Sequence, residues 1–151
     1  MRLLPADLDD PRVAALLDHH LRQAAANSPL GSVFALDLSG LRDPAMSVWA
    51  AWDGEQLMGL GALKQLAPRH GEVKSMRTAP AYLRRGVAGS LLAHLTGVAL
   101  ARGYTRLSLE TGANEAFAPA RALYEAAGFA PSEPFGDYVL TDFNRCYSKA
   151  L

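Results

Sequence analysis

A pair of arginines followed by small residues is the clearest chemical feature of this sequence. Arg84 and Arg85 precede Gly86, Val87, Ala88, Gly89 and Ser90, where apolar residues begin to recur at helical spacing. The free N–H groups and the dipole at the start of a helix attract anions, and small residues let a phosphate approach the backbone. The pattern predicts a pyrophosphate-binding turn. A solvated turn before an ordinary helix is the alternative, and the P-loop and Rossmann glycine patterns are both missing.

Five segments around this turn have the composition and alternation of β-strands. They are residues 2–4, 47–52, 56–66, 72–78 and 105–110. Asp53-Gly54 predicts a hairpin between the second and third of them, and a second turn is expected over residues 69–71. A sixth strand, over residues 146–149, is expected at the edge of the sheet.

Apolar residues at helical spacing predict three main helices, over residues 11–26, 86–102 and 119–127. Asp10 and Pro11 form the start signal of the first helix. Gly103 and Gly128 follow the second and third helices as terminating residues. The order of these elements predicts a single mixed α/β domain over residues 1–151.

The composition excludes several classes of protein. Fifteen Lys and Arg balance fifteen Asp and Glu, which argues against nucleic acid as a partner. No apolar run approaches the roughly 18 residues of a membrane helix, so we expect no membrane partner and a cytoplasmic location. Cys146 is the single cysteine and has no partner for an intramolecular disulfide. The histidines lack a metal-binding motif such as His-Glu-x-x-His, and we therefore predict no metal site.

Two motifs of the chain resemble the GNAT superfamily of acetyl-CoA-dependent N-acetyltransferases. The first, Leu83-Arg84-Arg85-Gly86-Val87-Ala88, is similar to Gln/Arg-x-x-Gly-x-Gly/Ala, with Leu83 in the usual Gln/Arg position. The second, Ala120-Arg121-Ala122-Leu123-Tyr124-Glu125-Ala126-Ala127-Gly128-Phe129, is similar to the family's late helix. Residues 110–112 and 134–138 also resemble a subgroup named for indole-acetic-acid or amino-acid acetylation. The resemblance implies a single GNAT domain with a mixed, mostly antiparallel sheet, flanked by helices and splayed at its centre.

The resemblance further implies that acetyl-CoA is the co-substrate and that an amine attacks its thioester directly. The cofactor-binding residues would then be Met76, Arg77 and Thr78 for the pantetheine arm, and Arg84, Arg85, Gly86, Val87, Ala88, Gly89 and Ser90 for the phosphates. Asn114 and Arg121 are further candidates, while Phe117 stands where the family usually has Asn. Tyr124 matches the tyrosine that protonates the departing thiolate, and its alternative role is packing beside Phe129.

Two carboxylates are candidates for the base that takes a proton from the amine. Glu72 begins one predicted strand and Glu110 ends the next. Strand alternation places Glu72, Lys74, Met76 and Thr78 on one face, and Val73, Ser75 and Arg77 on the other. We favour Glu72, because the family often has a working glutamate at the similar position. Glu110 is the alternative, and a solvated or structural role is open for both.

We expect the acceptor to bind against the less regular parts of the chain, residues 28–43 and 135–138. These contain Phe34, Arg42, Phe135 and Tyr138, a mixture that suits a small amine or amino acid. We therefore expect acetyl transfer to the primary amine of a small molecule or amino acid. The alternatives are acetylation of a protein or peptide and a non-catalytic CoA-binding sensor. We also expect a homodimer, because the C-terminal strand offers an edge for pairing.

Overall fold

The computed structural model describes residues 1–31 and 33–151, and a seven-stranded sheet lies at its centre. The strands are β1 (Arg2–Pro5), β2 (Met46–Asp53), β3 (Gln56–Ala67), β4 (His70–Thr78), β5 (Arg106–Gly112), β6 (Ala130–Pro131) and β7 (Asn144–Ala150). The helices are α1 (Pro11–Ala26), α2 (Leu38–Leu41), α3 (Val87–Ala101) and α4 (Ala118–Ala126). Short 3-10 turns, Pro80–Tyr82 and Glu115–Phe117, precede α3 and α4.

The sheet is antiparallel except where β4 meets β5. Its strand order is β1-β2-β3-β4-β5-β7-β6. The parallel pair is joined only at its start, through His70 with Arg106, Gly71 with Leu107 and Glu72 with Ser108. Beyond these pairs the two strands are no longer paired, which is the central splay expected from the resemblance.

Helices cover both faces of the sheet, whose central strands bury apolar side chains on both sides. On one face α3 and α4 pack over β4, β5 and β7, in a cluster that includes Val73, Leu95, Leu107, Tyr124 and Phe129. On the other face α1 and α2 pack over β2 and β3, in a cluster that includes Val13, Leu17, Leu41, Val48 and Leu60. The gap between β4 and β5 therefore lies between two packed hydrophobic cores.

The predicted signals at the helix ends are confirmed. The Asp10 side chain accepts a hydrogen bond from the Arg12 backbone N–H, and Pro11 occupies the first turn of α1. Gly103 and Gly128 follow α3 and α4 with φ angles of 82° and 94°, a region that glycine enters without the steric cost paid by other residues.

The prediction that the C-terminal strand is a sheet edge is wrong. β7 pairs with β5 along its whole length and with β6 through Tyr147 and Ser148. The two residues of β6 are too few to show a strand pattern in the sequence. The edge expected to support a homodimer is thus partly covered. The turn between β3 and β4 is also shorter than predicted, because both strands continue to Ala67 and His70.

A bulge in β4 reverses the predicted alternation of its side chains. Leu60 pairs with Arg77 and Ala62 with Lys74, so two residues of β4 face a single residue of β3. Ser75 takes the extra position with a φ of 55°. As a result Met76 packs with Val73 on the α3 face, whereas Arg77 turns to the α1 face and contacts His20. The predicted faces of Met76 and Arg77 are therefore wrong, because simple alternation does not pass through a bulge.

Candidate active site

The splay between β4 and β5 opens into a cavity of about 630 Å³. The three candidate catalytic residues, Glu72, Glu110 and Tyr124, all line it. Eight of the predicted cofactor residues also line it: Met76, Arg77, Thr78, Arg84, Gly86, Val87, Ala88 and Gly89. Residues that are distant in sequence thus meet around one space of the size of a small-molecule site.

The other predicted cofactor residues, Arg85, Ser90, Asn114 and Arg121, are not among the residues that line the cavity. The guanidinium of Arg85 lies 5.3 Å from the centre of the Tyr82 ring. Ser90 lies in the first turn of α3, and its N–H donates to the Gly86 carbonyl. Asn114 accepts from the Ala116 N–H and donates to the Asn27 carbonyl at 2.6 Å. Arg121 donates to the carbonyl oxygens of Gly112 and Asn114, both at 2.8 Å. Asn114 and Arg121 therefore hold the segment that joins β5 to α4.

The turn before α3 has the geometry of an anion-binding loop. Gly86 is the N-cap of α3 with a φ of 79°, and no side chain caps the first turn. The first N–H groups of the helix are thus left for another acceptor. A Cβ at Gly86 would meet nothing within 4 Å, so the space in front of the loop is open. Arg84 adds a positive charge here and itself adopts a φ of 62°. A pyrophosphate fits this combination of free donors, helix dipole and open space.

Glu72 belongs to a buried network at the base of the cavity. The side chain is 2% exposed. Its Oε2 accepts the Tyr138 hydroxyl at 2.6 Å and the Lys74 ammonium at 3.1 Å, and Lys74 also donates to the Tyr138 oxygen at 2.6 Å. Burial and the charge of Glu72 raise the pKa of Tyr138, so this phenol stays protonated. Tyr138 was expected near the acceptor, but the sequence contains no signal for its hydrogen bond to Glu72.

Glu110 faces the same space from β5, where the partner strand has diverged. Burial raises the pKa of this carboxyl to about 7, while a hydrogen bond from Asn144 and the charge of Lys74 act in the opposite direction. The Glu72 carboxylate nearby adds to the rise. Glu110 can therefore exchange a proton near neutral pH, as a general base must.

Tyr124 reaches the cavity from α4. It is 7% exposed, and its ring lies edge-on to Phe129 with centroids 6.1 Å apart. Burial raises the pKa of the phenol to about 12, and the positive charge of Arg77 opposes that rise. The packing role and a proton-donating role are compatible, because the same burial that packs the ring keeps the hydroxyl protonated.

Aromatic side chains form a further part of the cavity lining. Tyr138 meets Phe34 and Phe135 edge-on, with ring centroids 5.3 and 5.0 Å apart. Phe34 and Tyr138 line the cavity, together with His20 from α1 and Phe117. Arg42 lies elsewhere, where it pairs with Asp9 at 2.6 Å. The predicted acceptor segment 28–43 includes Ser32, which lies outside the described residues.

Cys146 is poorly suited to act as a nucleophile. It is 2% exposed on β7, opposite Glu110 in the strand register. Burial and the negative charge of Glu110 raise the pKa of the thiol, and the thiolate is the reactive form.

Residues 1–31 and 33–151 contain no group of three His, Cys, Asp or Glu side chains placed to hold a metal ion. Within these same ranges, every helix is too short or too polar to cross a membrane.

Comparison with known sequences identifies relatives over most of the chain. The profile of the family described as Acetyltransferase (GNAT) family matches residues 13–129. A Bacillus subtilis protein named uncharacterized N-acetyltransferase YsnE is 51% identical over 87% of both chains. An Escherichia coli protein named uncharacterized N-acetyltransferase YedL is 50% identical over 96% of this chain and 91% of its own. An IAA acetyltransferase of Azospirillum brasilense is 34% identical over 73% of this chain and 71% of its own.

Solved structures share the fold at lower identity. A Klebsiella pneumoniae protein described as an acyl-CoA N-acyltransferase superposes with a TM-score of 0.82, at 24% identity, over 99% of this chain and 97% of its own. A GNAT family acetyltransferase from Elizabethkingia anophelis, with acetyl-CoA bound, has a TM-score of 0.71 at 16% identity, over 99% and 97% of the two chains. The second comparison shows that this fold accommodates acetyl-CoA in another protein.

Proposed function

The chain belongs to the acetyltransferase (GNAT) family and is an acetyltransferase, and from that premise we propose that it transfers the acetyl group of acetyl-CoA to a primary amine of a small molecule or amino acid. The observation that carries the proposal is the cavity at the splay. It joins an anion-binding loop, a carboxyl with a pKa near neutrality and a protonated phenol in one space.

The loop that begins α3 would hold the phosphates of the co-substrate. Its uncapped N–H groups and the positive charge of Arg84 supply the donors and the charge, and Gly86 leaves the approach open. Met76 and Thr78 lie beyond the last β4–β5 pair, Glu72 with Ser108, so the edge of β4 that faces β5 would offer its backbone groups to a pantetheine arm. When bound, acetyl-CoA supplies an acetyl thioester that is open to attack by a neutral amine.

Glu110 is the group that we propose as the base. The family resemblance favoured Glu72 as the base, but Oε2 of Glu72 already accepts hydrogen bonds from both Tyr138 and Lys74. Glu110 has a pKa of about 7, which lets it take the proton that the amine nitrogen loses when it forms the amide, and release it again near neutral pH. Glu72 then acts as a positioning residue that holds Tyr138 and Lys74 at the acceptor side.

Tyr124 would donate the proton at the other end of the reaction. The amine nitrogen forms a bond to the acetyl carbon as the carbon–sulfur bond breaks. Glu110 takes one proton from the nitrogen, and Tyr124 gives its proton to the departing sulfur. Exchange with water returns both side chains to their starting states, so atoms and charges balance. No acyl-enzyme is required, which agrees with the burial of Cys146.

Two measurements test this proposal. Calorimetry should detect binding of acetyl-CoA, and a panel of primary amines should then give free thiol above the rate without amine. Glu133→Gln, a change at an exposed residue of the β6–β7 segment outside the cavity, serves as the matched control for Glu110→Gln. Binding without turnover on any small amine would contradict the proposed reaction. Absence of binding would contradict the assignment of the α3 loop.

A further inference from the structure

Arg77 is a half-buried cation on the cavity wall that no carboxylate of the described residues neutralises. The ion pairs in residues 1–31 and 33–151 join Arg12 to Asp10, Arg22 to Asp18, Arg42 to Asp9 and Lys74 to Glu72. Arg77 takes part in none of them. Removing a charge from water is costly unless a partner compensates it. An anion that enters the cavity would therefore supply the partner that Arg77 lacks.

The contact between Arg77 and His20 orients the guanidinium without neutralising it. Arg77 Nε donates to His20 Nδ1 at 3.0 Å, which requires a neutral imidazole with its proton on the other nitrogen. Burial and the charge of Arg77 lower the pKa of His20 to about 4, so the ring is neutral at physiological pH. The terminal nitrogens of Arg77 make no hydrogen bond with the described residues, and they form a fork that matches a carboxylate.

The location of Arg77 separates this anion from the phosphates of the co-substrate. The bulge at Ser75 turns Arg77 to the α1 face, whereas the phosphate loop begins α3 on the opposite face. Arg77 nevertheless lines the same cavity as Tyr124, and its positive charge opposes the rise in the pKa of that phenol. The cation thus shares one cavity with the proposed acid Tyr124 and with Phe34 and Tyr138, near which the acceptor is expected.

We propose that the Arg77 guanidinium binds a carboxylate of the acceptor, so that the enzyme acts on amino acids or other amino carboxylates rather than on simple amines. This inference rests on the proposed function and narrows its substrate class. The acceptor then meets opposite charges at its two ends: the amine faces Glu110 and the carboxylate faces Arg77. Arg77 is accordingly a specificity-determining residue, supported by His20 as a positioning residue.

The test compares acceptors that differ only in the carboxylate. Phenylalanine, its amide and phenethylamine share a side chain, and β-alanine and propylamine form a second, aliphatic set. For the wild type we expect kcat/KM to be at least about 100-fold higher for the carboxylate member, because a site built to bind a polar group rejects the analogue that lacks it. Arg77→Gln should abolish that preference mainly through KM, and Arg77→Lys should keep part of it.

Controls separate a failure of this inference from a failure of the proposed function. Arg102→Gln removes an exposed arginine that donates to Ser47 outside the cavity, and it should leave the preference intact. Melting temperatures and acetyl-CoA affinities of both Arg77 variants show whether the fold and the co-substrate site persist. If the wild type has equal kcat/KM for the acceptors with and without a carboxylate, the carboxylate assignment alone is wrong. The same holds if Arg77→Gln lowers kcat equally for the two kinds of acceptor. Absence of thiol release with every acceptor overturns the proposed function as well.

Discussion

Glu110 offers the most quantitative test of the proposed chemistry. Burial raises the pKa of its carboxyl from an ordinary 4.5 to about 7. A base with that pKa is about 10% ionised at pH 6 and about 90% ionised at pH 8, so kcat/KM should rise about tenfold across this interval. A carboxyl of ordinary pKa would be almost fully ionised at both values and would give a flat profile.

The perturbation is Glu110→Gln, which keeps the shape of the side chain and removes the base. We expect kcat to fall by about 10²–10⁴-fold, the usual contribution of a positioned base, and the rise between pH 6 and 8 to disappear. The assay is thiol release with an acceptor whose amine pKa lies below about 5, because such an acceptor is at least about 90% neutral from pH 6 upwards. Glu133→Gln, at an exposed residue outside the cavity, is again the control for loss of a carboxylate.

The same pKa shift predicts the dependence of stability on pH. Between pH 4.5 and 7 the folded protein binds more protons at Glu110 than the unfolded chain does. The free energy of unfolding should therefore fall as the pH rises through this range. The full shift corresponds to about 3 kcal/mol, and partial contact with water reduces the expected loss to about 1–3 kcal/mol. Urea unfolding should show that Glu110→Gln lacks this slope and is more stable than the wild type at pH 8.

Two results would refute the reasoning about Glu110. One is a wild-type rate profile that is flat between pH 6 and 8 with the weakly basic acceptor. The other is a Glu110→Gln variant that retains the rise in rate or the full loss of stability with pH. Either result would return the role of base to Glu72 or to water.

Three further changes test separate parts of the site. Tyr124→Phe should lower kcat by about 10²-fold with little change in acetyl-CoA affinity, and an unchanged kcat with a saturating substrate would remove the phenol from the acid role. Gly86→Ala places a side chain at a φ of 79°, at a cost of about 1–2 kcal/mol. The Kd of acetyl-CoA measured by calorimetry should then rise about tenfold or more, and an unchanged Kd would contradict the loop assignment. Cys146→Ala should cost about 1 kcal/mol of stability and leave kcat nearly unchanged, whereas loss of activity with retained folding would favour a covalent route.

The sequence predicted best where the signal is local. The Asp10-Pro11 start of α1, the glycines after α3 and α4, and the small residues of the α3 loop each act through their own backbone. The corresponding structure follows from a few neighbouring residues. The family motifs likewise indicated Tyr124 and Gly86 as site residues, and both line the cavity.

The sequence predicted least where the structure depends on pairing between distant segments. The face of Arg77 is set by the bulge at Ser75, which arises from the register of β4 against β3. The bond from Tyr138 to Glu72 depends on the course of the chain between β6 and β7. β6 is two residues long, which is too short for the alternation that would predict a strand, so its pairing with β7 leaves no signal in the sequence. Each of these features changes the chemistry of the site, and none can be read from spacing along the chain.

The central claim is that the acetyl group passes directly from acetyl-CoA to an amine in this cavity. A single-turnover experiment with excess enzyme and acetyl-CoA labelled in its acetyl group tests it most directly. After rapid quenching, the label is measured in the amine, in the protein and in free acetate. The account predicts that the label moves from the thioester to the amine nitrogen at the rate of thiol release, without passing through the protein. Label held on the protein before it reaches the amine, or released only as acetate, would contradict it.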